Sequence, residues 1–163
     1  MNSLILFILM TLNSTTLQVS SSSFKENTMI PSKYTCEGEN ISPALAIKNI
    51  PKQAKTLALI ADDPDAPNGG FVHWVAFNVD PAGTIKEHTE PGTKGKNGAG
   101  KNGYMGPCPP SGTHHYHFRV YALDSKLDLE EGATKAQLEK AMHGHILAQG
   151  ELVGLYKKVK PGK

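Results

Sequence analysis

The chain has 163 residues and a mass of 17.5 kDa, which suits a single domain able to bury a substantial core without disulfide cross-links. Hydrophobic residues make up 39% of it and charged residues 20%, as in globular proteins. A formal net charge of +2 is too small for a nucleic-acid-binding protein, so no nucleic-acid partner is expected.

Residues 1–16 are predicted to be an N-terminal extension, and residues 17–163 one domain. Residues 4–12 (LILFILMTL) form an apolar run of signal-peptide length, far too short to cross a bilayer, so no transmembrane segment is expected. No Lys or Arg precedes the run, and Met10 is an alternative start. These features favour a cytoplasmic protein. The alternative is a periplasmic or secreted protein, if residues 1–16 are a signal peptide.

Most of the remaining chain is predicted to be β-strand. Residues 56–61 (TLALIA) are continuously apolar, which is typical of a strand buried on both faces. In residues 71–79, alternation places Phe71, His73, Val75 and Phe77 on one face and Trp74 on the other. The predicted strands are residues 17–20, 45–47, 56–61, 71–79, 114–121 and 146–156, the last with a bulge expected at Gly150 or Gly154.

One helix is predicted, at residues 134–142, with Thr134 as its N-cap and Gly144 just past its end. Residues 81–103 have no sustained apolar period and are expected to be a long surface loop. Strands with a single late helix favour an antiparallel arrangement over alternating βαβ units. The predicted fold class is therefore mostly β (α+β), a two-sheet antiparallel β-sandwich with one or two short peripheral helices.

The two cysteines, Cys36 and Cys108, lack the spacing of a zinc site or a disulfide framework. Both lie in loops rich in glycine and proline and could be neighbours, bonded if the compartment is oxidising and the geometry permits. Free buried thiols are the default expectation.

Polar residues that point to a site concentrate in residues 104–121 (YMGPCPPSGTHHYHFRVY). The first half is a stiff loop, because its prolines and glycines exclude a helix. From residue 114 the chain alternates as a strand, which places His114 and Tyr116 on the same face as Phe118 and Val120. Two hydrogen-bonding rings would then stand where the core meets the loop, at the mouth of a cavity. The alternative is a strand end with solvated histidines.

Two further segments carry polar groups at strand ends. Residues 62–67 (DDPDAP) follow a buried strand, and Asp63 or Asp65 is as well explained by capping a turn as by binding a ligand. His73 is an imidazole in an otherwise apolar strand. Taken alone it is best explained as a core histidine bonded to a backbone carbonyl.

Together these segments resemble the phosphatidylethanolamine-binding protein family, which includes Raf kinase inhibitor protein, and within it the bacterial and archaeal branch. The resemblance runs in order through residues 17–158, so it is more specific than any single motif. The matching segments are residues 63–67 (DPDAP), 73–74 (HW), 106–112 (GPCPPSG) and 114–116 (HHY), with 34–38 (YTCEG), 40–43 (NISP), 144–145 (GH) and 151–154 (ELVG).

The resemblance implies a two-sheet antiparallel fold with a small pocket for phosphate, acetate or a phospholipid headgroup, and a kinase or a protease as a protein partner. No cofactor, metal site or catalytic residue is expected. Carried over to this sequence, the ligand-binding residues are Asp63, Asp65, His73, Pro107, Cys108, Pro109, His114 and Tyr116. Two imidazoles, a phenol and loop amides can donate to an anion, and the aspartates can orient the imidazoles or accept from an ammonium group.

Three functions compete. The leading one is a non-enzymatic binding protein for a small anionic or phosphorylated group. The second is a hydrolase or lyase in which Asp63 or Asp65 orients His73 or His114 as general base; its metal-dependent form would need His115 and His117 on the outer face. The third is a purely structural or interaction domain with a vestigial pocket.

Overall fold

The computed structural model describes residues 16–159, so the apolar run at residues 4–12 lies outside the described residues. A 3₁₀ turn, Ser32–Tyr34, and one α-helix, α1 (Lys135–Met142), accompany the strands. The strands are β1 (Gln18–Ser20), β2 (Thr28–Met29), β3 (Leu45–Lys48), β4 (Thr56–Asp63), β5 (Phe71–Val79), β6 (Thr84–Ile85), β7 (Thr93–Lys94), β8 (His114–Leu123) and β9 (Ile146–Tyr156). Within residues 16–159, no helix is long and apolar enough to span a bilayer.

The strands form a six-stranded sheet in the order β2-β9-β8-β4-β5-β7 and a three-stranded sheet in the order β1-β3-β6. Neighbouring strands are antiparallel, apart from the short parallel pair of β2 and β9. The predicted mostly-β, two-sheet fold is confirmed. The prediction of one long loop at residues 81–103 was only partly correct, because this segment contains the short strands β6 and β7. Strands of two residues are too short to produce a readable alternation.

Hydrophobic residues pack on both faces of the large sheet. One cluster fills the space between the sheets and includes Trp74 and Phe118, and the other lies beneath α1 and includes Ile60 and Phe77. Every residue of β4 is buried, as its continuous apolar sequence predicted. On β8 the predicted core face is confirmed, because residues 114, 116, 118 and 120 are all buried.

A β-bulge interrupts β5 at His73. Asp62 pairs with Val72 while the preceding residue of β4 pairs with Trp74, so His73 is an extra residue without a partner in the ladder. The prediction that residues 71, 73, 75 and 77 share a face was therefore wrong. Phe71 and His73 face a cavity at the sheet edge, whereas Val72, Val75 and Phe77 pack beneath α1.

The helix begins as predicted. Thr134 is its N-cap and forms a capping box with Gln137, in which each side chain bonds to the other residue's backbone amide. Lys135, in the first turn, also bonds to Asp62 at 2.5 Å, and Asp62 accepts from Arg119 at 2.6 Å. These contacts fix α1 on the large sheet at the end of β4.

The glycines of β9 do not produce the bulge expected there. The irregularity falls opposite Ala122 and Leu123, beside Leu147, while Gly150 and Gly154 pair in regular register with β8. A Cβ at Gly150 would lie 2.1 Å from the carbonyl oxygen of Leu17, and one at Gly154 would lie 2.5 Å from Ile30. These positions are glycine because other segments cross the strand at close range.

Candidate functional site

Four distant segments meet at one edge of the large sheet and enclose a cavity of about 270 Å³. The end of β4, the start of β5 and the loop between β7 and β8 line it, and the start of β8 lies beside them. Because β4 is antiparallel to both β5 and β8, its last residues and their first residues come together at this edge. The lining residues are Asp63, Ala66, Pro67, Asn68, Phe71, His73, Met105, Cys108, Pro109 and Pro110.

Asp63 and His114 form a buried pair beside the cavity. Nδ1 of His114 donates to Oδ2 of Asp63 at 2.7 Å, and the two side chains are 9% and 3% exposed. Oδ1 of Asp63 accepts from the backbone N–H of Asp65 at 2.9 Å. Asp63 therefore caps the turn, as the simpler interpretation of the sequence required, and also orients an imidazole.

His73 has the hydrogen bond of a core histidine and also lines the cavity. Its Nδ1 donates to the carbonyl oxygen of Met105 at 2.6 Å, and the backbone N–H of Met105 donates back to the carbonyl of His73 at 2.8 Å. Burial lowers the pKa of the His73 imidazole, and the Met105 carbonyl and the charge of Asp63 oppose that shift only in part. The ring is therefore neutral at pH 7.

Tyr116 lies beneath His73, with the two rings edge to face at a centroid distance of 5.2 Å. The residue is 2% exposed. The carboxylate of Asp63 lies near its hydroxyl, but no hydrogen bond of normal geometry joins the hydroxyl to any group within residues 16–159. Burial raises the pKa of this phenol, and the negative charge of Asp63 raises it further. A buried protonated hydroxyl without such a bond is uncommon in folded proteins and is typical of a group that awaits a ligand or a water molecule.

The proline-rich loop forms one wall and is joined to the turn at residues 34–43 by a disulfide between Cys36 and Cys108. The default expectation of free buried thiols was therefore wrong, and Cys36 is in fact exposed to solvent. The backbone N–H of Cys36 also donates to the carbonyl of Pro107 at 3.1 Å. The sequence placed both cysteines in loops, but only the fold shows that these loops are adjacent.

Hydrogen bonds that sequence analysis missed also hold this loop. Oδ1 of Asn40 accepts from the backbone N–H of Gly106 at 2.8 Å, and the hydroxyl of Tyr104 donates to the carbonyl of Tyr34 at 2.8 Å. A Cβ at position 106 would lie 2.3 Å from that same carbonyl, so the approach requires glycine. Asn40 belongs to the NISP segment, which the family resemblance had already marked without giving it a role.

The expected site residues do not all reach the cavity. Asp63, His73, Cys108 and Pro109 line it, while His114 and Tyr116 lie next to lining residues. Pro107 is buried behind the wall and Asp65 points away. Phe71 and Met105 are lining residues that the sequence analysis did not select. Phe71 had a usable signal, because it lies two residues before His73 on a strand that begins directly after a polar loop.

Asp65 binds His115 on the outer side. Its Oδ2 accepts from the backbone N–H of His115 at 2.9 Å and from Nδ1 of the ring at 2.7 Å, and these two bonds, led by the ring, lower the pKa of Asp65. His117 lies 3.0 Å from Glu151. His115 and His117 are thus directed at different carboxylates. Within residues 16–159, no group of three His, Cys, Asp or Glu side chains is arranged to hold a metal ion.

A larger cleft of about 520 Å³ lies on the other face of the large sheet, beside Arg119 and Glu151. Its charged groups are bonded to one another. Arg119 donates to Asp62 at 2.6 Å and lies 2.8 Å from Glu151. The cleft lies on the face opposite the Asp63–His114 pair and shares no lining residue with the smaller cavity.

The structure thus combines a two-sheet β-fold with a small cavity of mixed polar and apolar lining at the sheet edge. The sequence matches the phosphatidylethanolamine-binding protein family over residues 20–157, and the chain belongs to that family. A relative named UPF0098 protein from Methanothermobacter thermautotrophicus is 50% identical over 143 residues, which cover 83% of this chain and 95% of the relative.

Two solved structures also support membership of this family. A protein of Chlamydia trachomatis described as a phosphatidylethanolamine-binding protein homologue superposes with a TM-score of 0.85 at 43% identity, covering 89% of this chain and 99% of the other. YbcL of E. coli, described as a new member of the mammalian family, superposes with a TM-score of 0.81 at 28% identity, covering 87% and 98%.

Proposed function

We propose that the protein is a non-enzymatic binding protein whose cavity takes a small anion, either phosphate or the phosphate of a headgroup-like ligand. The observation that carries this proposal is that the buried hydroxyl of Tyr116, beneath His73 and beside the Asp63–His114 pair, makes no hydrogen bond of normal geometry within residues 16–159. A hydroxyl and an imidazole held by a carboxylate are groups that bind phosphate oxygens. The family name, which refers to a phospholipid with a phosphate headgroup, supports the same ligand class.

The apolar part of the lining fits a ligand that is more than a bare ion. Phe71, Met105 and Pro109 give the cavity walls that exclude water from one side of the ligand. The phosphate can be free, or carried on a kinase or a protease that this protein regulates, which is the protein partner that the family resemblance suggests. A headgroup with an ammonium group would in addition find the carboxylate of Asp63 as an acceptor.

Isothermal titration calorimetry with phosphate, phosphoethanolamine and phosphopeptides tests the proposal. We expect binding by the native protein and a loss of at least tenfold in affinity for His114→Ala, because the variant removes the ring that Asp63 orients. His145→Ala is the matched control, since His145 is exposed and bonds to Asp124 at 2.8 Å, away from the cavity. Absence of binding for all three ligands would overturn the proposal. Unchanged affinity in His114→Ala would support a purely structural role for that side chain.

A second candidate is a hydrolase or lyase, which one specific observation favours. A carboxylate bonded to a buried imidazole, as in Asp63 and His114, is the arrangement that makes histidine a general base. Cys108 is in a disulfide and has no thiol to serve as a nucleophile, and among the described residues the exposed Ser111 makes no hydrogen bond to the His114 ring. Turnover of phosphate and carboxylate esters by the native protein, abolished in His114→Ala, would favour the enzyme.

The disulfide also bears on location. Disulfides persist mainly in oxidising compartments, so the Cys36–Cys108 bond supports a periplasmic or secreted protein over the cytoplasmic location that the N-terminal sequence favours. Intact-mass measurement of protein from its native cells decides between the two. Retention of residues 1–16 with free thiols would support the cytoplasm, and their removal with the disulfide formed would support export.

A further inference from the structure

Three asparagine residues of this chain are followed by glycine, at positions 68, 97 and 102. An Asn-Gly pair can lose ammonia without an enzyme, because the glycine nitrogen can attack the asparagine side chain when no Cβ hinders it. The reaction requires that the asparagine side chain can rotate and that the glycine N–H is free to move. The three pairs differ in both respects.

Two of the pairs are held by hydrogen bonds. Oδ1 of Asn97 accepts from two backbone N–H groups at 3.0 and 3.2 Å, and its Nδ2 donates to a backbone carbonyl at 3.0 Å. Nδ2 of Asn102 donates to Glu131 at 3.3 Å. The N–H groups of the following residues, Gly98 and Gly103, donate to backbone carbonyls at 2.8 and 3.1 Å. Attack by either glycine nitrogen would therefore break a backbone hydrogen bond.

The third pair, Asn68 and Gly69, has none of these restraints. Both residues are exposed in the turn between β4 and β5, with φ values of +63° and +91°, a left-handed backbone that asparagine and glycine adopt most readily. Within residues 16–159, neither the side chain of Asn68 nor the N–H of Gly69 makes a hydrogen bond. A Cβ added at Gly69 would have no atom within 4 Å beyond its chain neighbours, so the turn has room to rearrange.

We propose that Asn68 is a site of spontaneous deamidation, which converts it to aspartate or isoaspartate. The backbone nitrogen of Gly69 forms a bond to the side-chain carbonyl carbon of Asn68, the bond from that carbon to Nδ2 breaks, and ammonia leaves with the amide proton. Water then opens the resulting cyclic imide at either of its carbonyls, and the proton of the new acid passes to the ammonia. The reaction consumes water, releases ammonium and needs no oxidant or reductant.

The new carboxylate would lie in the wall of the smaller cavity, because Asn68 lines that cavity together with Asp63. Among the described residues, no Lys or Arg lines it to offset the added charge. Two carboxylates repel an anion more strongly than one. Deamidation would therefore lower the affinity of the cavity for anions slowly and irreversibly. This effect on affinity rests on the proposed function, whereas the modification itself does not.

Peptide mapping by mass spectrometry, during incubation of the native protein in mildly alkaline buffer, measures the rate at each asparagine. We expect Asn68 to lose ammonia about tenfold faster than Asn97 and Asn102, because attack at the other two first requires local opening. A sample unfolded in urea is the control, in which the three rates should be similar. Labelling by an isoaspartate-specific methyltransferase gives a second readout of the product. Equal rates at the three positions in the folded protein, or a slower rate at Asn68, would overturn the proposal.

Isothermal titration of Asn68→Asp with methyl phosphate tests the consequence for the cavity. We expect the affinity to fall about fivefold, and to stay unchanged in Asn102→Asp, which adds the same charge outside the cavity lining. Asn68→Gln should keep the native affinity and resist deamidation, because ring closure through its longer side chain is slow. Equal affinities of Asn68→Asp and the native protein would overturn the effect on the cavity. If the native protein does not bind methyl phosphate, the proposed function fails, and the peptide map still decides whether Asn68 is the modification site.

Discussion

The disulfide between Cys36 and Cys108 should contribute much of the stability of this domain, and its removal gives a quantitative test. The bond closes a segment with a sequence separation of 72 residues. For a loop of that length, the lost entropy of the unfolded chain corresponds to about 4.4 kcal/mol at 25 °C. For a domain of this size, that loss lowers the melting temperature by roughly 9–18 °C.

Urea denaturation of three samples measures the effect: the oxidised protein, the protein reduced with dithiothreitol, and Cys36→Ser/Cys108→Ser. Cys36 is exposed, so the reductant can reach the bond without global unfolding. The reduced protein and the double variant should unfold at the same lower urea concentration, with a larger m-value because their unfolded chains are more extended. Dithiothreitol should leave the double variant unchanged. If the oxidised protein and the double variant differ by less than about 1 kcal/mol, the reasoning from loop entropy is refuted.

Three further predictions concern the cavity and its walls. Asp63→Ala leaves the Nδ1–H of His114 and the backbone N–H of Asp65 without acceptors. The substitution should lower the free energy of unfolding, measured by urea titration, by about 2–4 kcal/mol. A loss below about 1 kcal/mol would contradict this account of the pair. Because its pKa is lowered in the folded state, His73 takes up a proton more readily on unfolding. The contribution of His73 to the free energy of unfolding should therefore be fully present above about pH 6.5 and decrease as the pH drops below it. Melting temperatures of the native protein and His73→Gln, measured across this pH range, test the prediction. Gly106→Ala should lower the free energy of unfolding by about 1–3 kcal/mol, because the added Cβ would collide with backbone atoms. Gly112→Ala is the control: the position is in open space at a φ of +71°, and the loss there should be about 1 kcal/mol. Equal losses in the two variants would argue against the close approach at position 106.

Local patterns predicted the elements whose determinants are local. The strand at residues 56–61 was readable because both faces are covered by apolar residues. The helix start was readable because its capping hydrogen bonds join Thr134 and Gln137, which are three residues apart. The bulge at His73 was not readable. Residues on both sides of it are apolar in either register, so one extra residue leaves no trace in the alternation.

The site was predicted less completely than the fold, for a similar reason. Which loops meet depends on sheet topology, so the pairing of Cys36 with Cys108 and the role of Asn40 could not be inferred from spacing. The family resemblance supplied the convergence of Asp63 with the segment around His114. It did not show that Asp63 caps the turn after β4, and Asp65 in that turn is directed outward to His115.

The extra residue in β5 divides that strand into two parts that can change separately. Residues after it are committed to the interior, where Trp74 and Val75 are fully enclosed. Phe71, at the start of the strand, instead lines the cavity and belongs to neither cluster of buried hydrophobic residues. A substitution at Phe71 therefore changes the cavity wall without repacking the two hydrophobic clusters of the domain.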